Sequence, residues 1–196
     1  MNVAAFNGSP RQKGNTSLAL GMVLEELKKE GIETGLMQVG GKRINPCRVC
    51  LKCRQKKDGF CYGYEDDKDD ILNECLKKMY AAQGIIIGSP VFFGSVTPEI
   101  KSLIDRAGYC SRNGSVNLLK RKVCAGVVAV RRQGAGTALE QINNLFALSE
   151  VIVAHSSYWN MAFGREIGEV MNDEEGVRTL KTLGMNMAWL LKKLYA

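Results

Sequence analysis

The chain has 196 residues, of which 45% are hydrophobic, and it carries a formal net charge of +7. This length suits a single domain, and this share of apolar residues supports a core and excludes a disordered chain. No apolar run approaches the roughly 18 residues that a membrane span needs, and no signal-like segment opens the sequence, so we expect a cytoplasmic protein without a membrane partner. The scattered basic residues match no nucleic-acid-binding motif, so we expect no nucleic-acid partner but a surface that attracts anionic cofactors or an acidic redox partner.

Strand-like and helix-like segments alternate along the whole chain. Short apolar runs bounded by turn residues predict strands, and longer segments with one apolar face predict helices. The predicted elements are strand 2–7, helix 15–30, strand 32–39, helix 66–83, strand 84–88, a helix opened by Thr97 and Pro98, strand 122–130, helix 135–149, strand 151–154 and a final helix from Asn172. Five strands alternating with five helices predict one parallel sheet covered on both faces, in a single α/β domain over 1–196.

Two helices have predicted caps. Asp66 or Asp67 is expected to cap the helix before the third strand. Asn172, with Glu175 three residues later, has the spacing of a capping box for the last helix. The apolar stripe of that helix is predicted to consist of Leu180, Leu183, Met187, Leu190 and Leu194.

The loop after the first strand predicts a phosphate site. Doubly wound sheets bind ligands beyond the carboxyl ends of their strands, and here a helix start adds free N–H groups and positive dipole charge. The side chains that add donors to this cradle are Ser9, Arg11, Asn15, Thr16 and Ser17. A Walker loop is excluded because Asn15 follows Gly14, and the dinucleotide fingerprint is missing. Simple helix capping would account for one or two of these residues but not for the whole set.

Two further loops on the same sheet edge predict a site for a flat ring. The third strand ends in Pro90, Val91, Phe92, Phe93 and Gly94. These residues offer the apolar wall and the close backbone approach that an isoalloxazine ring needs. After the fourth strand, Arg131 in a glycine-rich loop offers a cation that favours the reduced, anionic flavin. The alternatives are a hydrophobic loop at a subunit contact and a solvated turn with surface arginines.

Four cysteines lie in an irregular segment, 44–64, inserted after the second strand. Their spacing is Cys47-x2-Cys50-x2-Cys53-x7-Cys61. Three cysteines within seven residues let one short loop bind three corners of a [4Fe–4S] cubane, and the fourth completes the set. A structural zinc site is the nearest alternative, although zinc usually takes two Cys-x2-Cys pairs separated by a longer stretch. A redox-active dithiol is the second alternative.

The remaining cysteines and the single histidine have plainer interpretations. Cys75, Cys110 and Cys124 stand on helix or strand patterns and are predicted to be small buried hydrophobes. His155 follows the fifth strand and is expected to be satisfied by its neighbours, with proton donation to a substrate as the alternative.

Three motifs together resemble the iron–sulfur flavoprotein family, within the NADPH-dependent FMN reductase superfamily. They are the glycine-rich loop 8–16, the cysteine segment 46–53 and the aromatic loop 88–94; segments 97–106 and 158–187 are similar as well. The resemblance implies a flavodoxin-like fold with one FMN and one [4Fe–4S] cluster per subunit. It also implies a homotetramer in which the cluster of one subunit lies near the flavin of another.

The resemblance also implies roles for individual residues. Phosphate contacts carry over to Ser9, Arg11, Asn15, Thr16 and Ser17, ring contacts to Pro90, Val91, Phe92, Phe93 and Gly94, and cluster ligands to Cys47, Cys50, Cys53 and Cys61. The seven-residue gap before Cys61 is at the long end of the expected range. No side chain has the pattern of an essential acid–base catalyst, so the flavin is expected to carry the chemistry.

The predicted function is electron transfer from ferredoxin or NAD(P)H to a small oxidant such as oxygen, peroxide or a quinone. One alternative is an NAD(P)H-dependent FMN or quinone reductase without a cluster. Another, from a different class, is a non-enzymatic flavin- or zinc-binding regulatory module.

Overall fold

A computed structural model describes residues 1–195 of the chain and shows one parallel sheet between two layers of helices. The elements are β1 (Asn2–Asn7), α1 (Asn15–Lys29), β2 (Glu33–Gln38), α2 (Lys52–Lys56), α3 (Leu72–Ala81), β3 (Gly84–Pro90), α4 (Pro98–Ser111), β4 (Val123–Val130), α5 (Ala135–Ala147), β5 (Ile152–Val153), β6 (Met161–Phe163) and α6 (Glu174–Tyr195), with a 3-10 turn at Glu169–Asn172. None of the helices within residues 1–195 combines the length and the apolar character that crossing a membrane requires.

The strands are ordered β2-β1-β3-β4-β5, and every pair of neighbours is parallel. This is the order of flavodoxin-like doubly wound folds, so the predicted fold class is confirmed. The central strand β3 is buried on both faces because its side chains alternate. Ile85 and Ile87 pack under α3, α4 and α5, whereas Ile86 packs under α1 and α6.

The fifth position of the sheet differs from the prediction of one strand over 151–154. It is filled by two short strands that both pair with β4: Ile152 lies beside Val123 at its start, and Met161 beside Val128 near its end. The intervening residues 155–159 form no strand, whereas the Ala154 N–H donates to the Cys124 carbonyl at 2.8 Å and the Asn160 carbonyl accepts from the Val128 N–H at 2.9 Å. The sequence did not reveal β6, because a run of three residues has no periodicity of its own and depends on its pairing with β4.

Helix α3 is shorter than the predicted helix 66–83. It begins at Leu72, whose N–H donates to the Asp70 carboxylate at 3.0 Å, so neither Asp66 nor Asp67 is the cap. The carboxylate of Asp67 instead accepts from the Asn45 side chain at 2.9 Å. At the other end, the Gln83 N–H donates to the Asn2 carbonyl of β1 at 3.1 Å. Because Gln83 already bonds to the sheet, the helix ends two residues before the predicted end.

Helix α6 is capped by Asp173, not by Asn172. One carboxylate oxygen accepts from the Gly176 N–H at 3.0 Å, and the other accepts from the Phe163 N–H of β6 at 2.7 Å. Its buried stripe runs through Leu180, Leu183, Met187 and Leu191, while Leu190 is half-buried. Leu194 was predicted wrongly as core: it is 47% exposed, because Leu191 already packs beside Gly84 at the start of β3 and the next turn lies beyond the sheet.

The cap of α6 is tested by replacing each candidate residue with alanine. Asp173→Ala is expected to lower the free energy of unfolding by about 1–2 kcal/mol, because it removes the carboxylate that joins the helix start to β6. Asn172→Ala, the matched control, is expected to change it by less than about 0.5 kcal/mol. Urea unfolding followed by circular dichroism measures both, and an equal loss in the two variants would contradict the assignment.

Candidate functional site

The loops after β1 and β3 are tied together by buried hydrogen bonds. The Gly8 N–H donates to the Gly88 carbonyl at 2.8 Å, and the Thr97 hydroxyl donates to the Gly8 carbonyl at 3.0 Å. The Thr97 N–H in turn donates to the Ser89 hydroxyl at 3.1 Å. A side chain at Gly8 would collide with Ile100 of α4, so the close approach of the two loops requires a glycine at this position.

The start of α1 is open to an anion. Its N-cap is Gly14, and among residues 1–195 no side chain caps it and no acidic residue stands in its first turn. The first N–H groups of a helix lack internal partners and carry positive dipole charge. Ser9 and Thr16 are buried beside this helix start, and the Ser9 hydroxyl accepts from the Arg11 N–H at 3.2 Å. A helix start of this kind is typical of sites for a terminal phosphate, and the phosphate contact itself stays a prediction.

Asn15 is used differently from the expectation for its side chain. Its amide nitrogen donates to the carbonyls of Gly164 at 3.1 Å and Glu166 at 2.9 Å, and its oxygen accepts from the Gly168 N–H at 2.8 Å. The side chain therefore fastens the segment after β6 to the phosphate loop. A phosphate contact by Asn15 stays a prediction and rests on its backbone N–H, as the contacts of Arg11 and Ser17 also stay predictions.

The two ring loops meet at a pair of glycines. In the β3 loop, Phe92 and Ser95 exchange backbone hydrogen bonds at 2.9 and 3.0 Å, which form a tight turn through Phe93 and Gly94 at positive φ. A Cβ on Gly134 of the β4 loop would lie 2.9 Å from the Gly94 Cα. Since Gly134 itself has a φ of 90°, a larger residue there would both strain the backbone and separate the loops.

The aromatic side chains of the β3 loop face outwards. Phe93 is fully exposed and Phe92 is largely exposed, so both are free to contact a ring or another subunit. Arg131 is also exposed, and it borders an open cavity of about 600 Å³ together with Phe163 and Arg165. The contacts of Arg131 and of residues 90–94 with a flavin stay predictions.

The four predicted cysteine ligands line one small pocket, which we call the cysteine pocket. Its walls also include Gly63, Tyr64, Arg106 and Cys110; the ligands are Cys47, Cys50, Cys53 and Cys61. A Cβ on Gly63 would lie 3.4 Å from the Cys50 sulfur and 3.6 Å from the Cys61 sulfur, so a glycine there keeps the space between two thiols open. Left-handed backbone at Val49 and Leu51, on either side of Cys50, turns the chain around the pocket.

The arrangement of the thiols is relevant to whether a cluster or a single metal ion could bind in the cysteine pocket. Among residues 1–195, no three His, Cys, Asp or Glu side chains lie close enough to hold one metal ion. A cubane binds its four thiolates through four different irons, so its ligands stand farther apart than those of a single tetrahedral zinc ion. Four thiols around one pocket are donors that either group could use, so the choice between a cluster and zinc stays a prediction.

A fifth thiol, which the sequence did not reveal, belongs to the cysteine pocket. Cys110 is buried like Cys75 and Cys124, as predicted, but its thiol lies against Cys61. The pKa of Cys61 falls to about 5, chiefly because Cys110 donates to its sulfur; burial opposes this, and the Gly63 N–H and Arg106 contribute further. The hydrogen bond between the two thiols thus favours the deprotonated form of Cys61 and raises the pKa of Cys110.

The chain is similar to a known protein family and to individual proteins of that family over most of its length. Residues 1–166 match the model of the NADPH-dependent FMN reductase family. An iron–sulfur flavoprotein of Methanocaldococcus jannaschii is 36% identical over 200 residues, which cover 98% of each chain. An iron–sulfur flavoprotein of Methanosarcina thermophila is 32% identical and covers 78% of this chain and 76% of its own.

Two solved structures illustrate the likeness of fold. RosB with a bound 8-demethyl-8-formylriboflavin-5'-phosphate intermediate has a TM-score of 0.76 at 16% identity, covering 100% of this chain and 82% of RosB. A flavodoxin from the domain Archaea has a TM-score of 0.61 at 12% identity, covering 98% and 99% of the two chains. With the fold, the family match and the full-length relatives in agreement, the chain belongs to the NADPH-dependent FMN reductase family and, within it, to the iron–sulfur flavoproteins.

Proposed function

We propose that this flavoprotein transfers electrons between FMN, held at the ends of β1, β3 and β4, and a [4Fe–4S] cluster, held in the cysteine pocket. The observation that carries the proposal is the cysteine pocket itself, where four thiols surround a common space beside a buried arginine. The family supplies the expectation of a flavin, and the names of the full-length relatives support the cluster.

The residues of the β1 loop and of α1 would hold the phosphate of FMN. The free N–H groups of the first helical turn, the hydroxyls of Ser9, Thr16 and Ser17, and the Arg11 guanidinium supply both hydrogen bonds and positive charge. Hydrogen bonds to a charged group contribute about 1.5–3 kcal/mol each, so three of them suffice to anchor a mononucleotide. The β3 loop would lie against the ring, with Gly94 and Gly134 allowing close backbone approach.

The chemistry resides in the two groups rather than in an acid–base side chain. When bound, FMN exchanges one or two electrons and the cluster exchanges one, so the pair links two-electron to one-electron chemistry. Ferredoxin or NAD(P)H is the proposed donor, and oxygen, peroxide or a quinone is the proposed acceptor. The chain contributes binding, orientation and a net charge of +7 that favours acidic partners.

A homotetramer in the cytoplasm is the proposed working form. Large aromatic side chains stand exposed at several places on the subunit, among them Phe93, Trp159 and Trp189. The tetramer follows from the family resemblance, and these side chains are candidates for contacts between subunits. Sedimentation of the cofactor-loaded protein tests this state.

A second candidate is an NAD(P)H-dependent FMN or quinone reductase whose cysteines hold no cluster. The family match over residues 1–166 favours it, since that family is named for the reductase activity. Iron, sulfide and flavin analysis of protein purified without oxygen separates the two functions: about four irons per chain supports the first, and flavin alone supports the second. Flavin without turnover by reduced ferredoxin or NAD(P)H would instead indicate a regulatory module.

The cluster assignment is tested by a matched pair of cysteine variants. Cys50→Ser is expected to lose most of the bound iron while FMN stays, because the cubane loses one corner and the flavin loops are untouched. Cys75→Ala, the control, is expected to keep its iron, because Cys75 is buried outside the cysteine pocket and the four proposed ligands remain. Iron and FMN per chain are measured after anaerobic purification, and full iron in the Cys50 variant would refute its role.

The phosphate cradle is tested by comparing FMN with riboflavin, which lacks the phosphate. Thr16→Val is expected to weaken FMN binding about tenfold, a loss of roughly 1.4 kcal/mol, and to leave riboflavin binding unchanged. Asn15→Ala is expected to weaken both flavins, because it releases the segment after β6. Fluorescence titration of the flavin-free protein measures the affinities, and an equal loss of the two flavins in the Thr16 variant would argue against the cradle.

A further inference from the structure

Arg106 is a buried cation that the flavin site does not use. It lies on α4, its side chain is 3% exposed, and it forms an ion pair at 2.6 Å with Asp70, which is also 3% exposed. The same terminal nitrogen donates to the Asn45 carbonyl at 3.1 Å, and the guanidinium stacks on the Tyr64 ring with its centre 5.0 Å away. Burying an ion pair costs desolvation free energy, so its presence here calls for a reason beyond stability.

The second terminal nitrogen of Arg106 supplies that reason. It donates to the Cys61 sulfur at 3.2 Å, so one guanidinium bridges a carboxylate and a proposed cluster ligand. Asn113 donates to the Cys53 sulfur at 3.5 Å, but its amide is neutral. Among residues 1–195, Cys61 is the one proposed ligand whose sulfur accepts a hydrogen bond from a cationic side chain.

The backbone of Cys61 is fixed as well. Its N–H donates to the Asn73 side-chain oxygen at 2.9 Å, and the Asn73 amide donates back to the Cys61 carbonyl at 2.9 Å. Cys61 is the cysteine that stands farthest along the chain from the other three. Hydrogen bonds with α3 therefore fix the backbone of Cys61, and a hydrogen bond from α4 fixes its sulfur. These contacts hold Cys61 in the cysteine pocket although seven residues separate it from Cys53.

We propose that Arg106 is a positioning residue for the cluster, which orients the Cys61 sulfur and raises the reduction potential of the cluster. The inference rests on the proposed function, because it requires that Cys61 binds iron. Hydrogen bonds to ligand sulfurs and nearby positive charge both favour the reduced, more negative cluster. Asp70 holds Arg106 in place and offsets part of its charge.

The proposal is tested by the reduction potential of the cluster in anaerobically purified holoprotein. Arg106→Gln is expected to shift the reduction potential to more negative values. The potential of Arg106→Lys is expected to lie between those of the glutamine variant and the wild type, because lysine keeps the positive charge but cannot bond the carboxylate and the sulfur with two separate nitrogens. Asp70→Asn is expected to shift the potential in the opposite direction, since it leaves the charge of Arg106 without its counterion. A purely structural role does not predict shifts of opposite sign.

Arg112→Gln is the matched control, because Arg112 follows α4, is exposed and carries the same charge. It is expected to leave the potential, the iron content and the FMN content unchanged. The inference is overturned if both Arg106 variants have the same reduction potential as the control and all proteins contain their full iron. That result would leave the proposed function standing. Iron missing from the wild type would overturn the proposed function first, and the inference with it. If the glutamine variant does not fold, the lysine variant alone decides: an unchanged potential overturns the inference.

Discussion

Parallel strands can be joined only by crossover connections, and this constraint decides where the functional loops of the protein lie. Because the sheet is covered by helices on both faces, its central strands must be apolar on both sides, as Ile85, Ile86 and Ile87 are in β3. Every strand then ends at the same edge. The loops that follow β1, β3 and β4 are thereby brought together, and Gly94 meets Gly134 although forty residues separate them.

The parts of the fold that follow from local pattern could be predicted from the sequence. The continuous apolar run of β3, the apolar face of α1 and the turn residues that end β1 each carry their own signal. The open start of α1 could be predicted for the same reason, since a glycine-rich turn before a helix is a local feature. These segments were enough to predict the fold class and to outline the candidate flavin site.

The wrong predictions concern residues whose hydrogen-bond partners lie far away in the sequence. Several aspartates precede α3, and the Leu72 N–H at its start donates to Asp70, whose carboxylate also accepts from the distant Asn45 side chain. The Asn15 side chain has donors and acceptors suited to a phosphate, yet the backbone after β6 occupies them. Arg106 stands in an ordinary helical pattern, and its burial depends on an acid 36 residues away.

Helix α4 connects the loops after β1 and β3 with the cysteine pocket. It begins beside Thr97, which is bonded to the Gly8 backbone, and Arg106 reaches the Cys61 sulfur about eight residues further on, roughly 12 Å along the axis at 1.5 Å per residue. An inserted residue would turn everything beyond it by about 100° and carry the guanidinium away from the sulfur. The number of residues between Thr97 and Arg106 is therefore fixed by the contacts that these two residues make near opposite ends of α4.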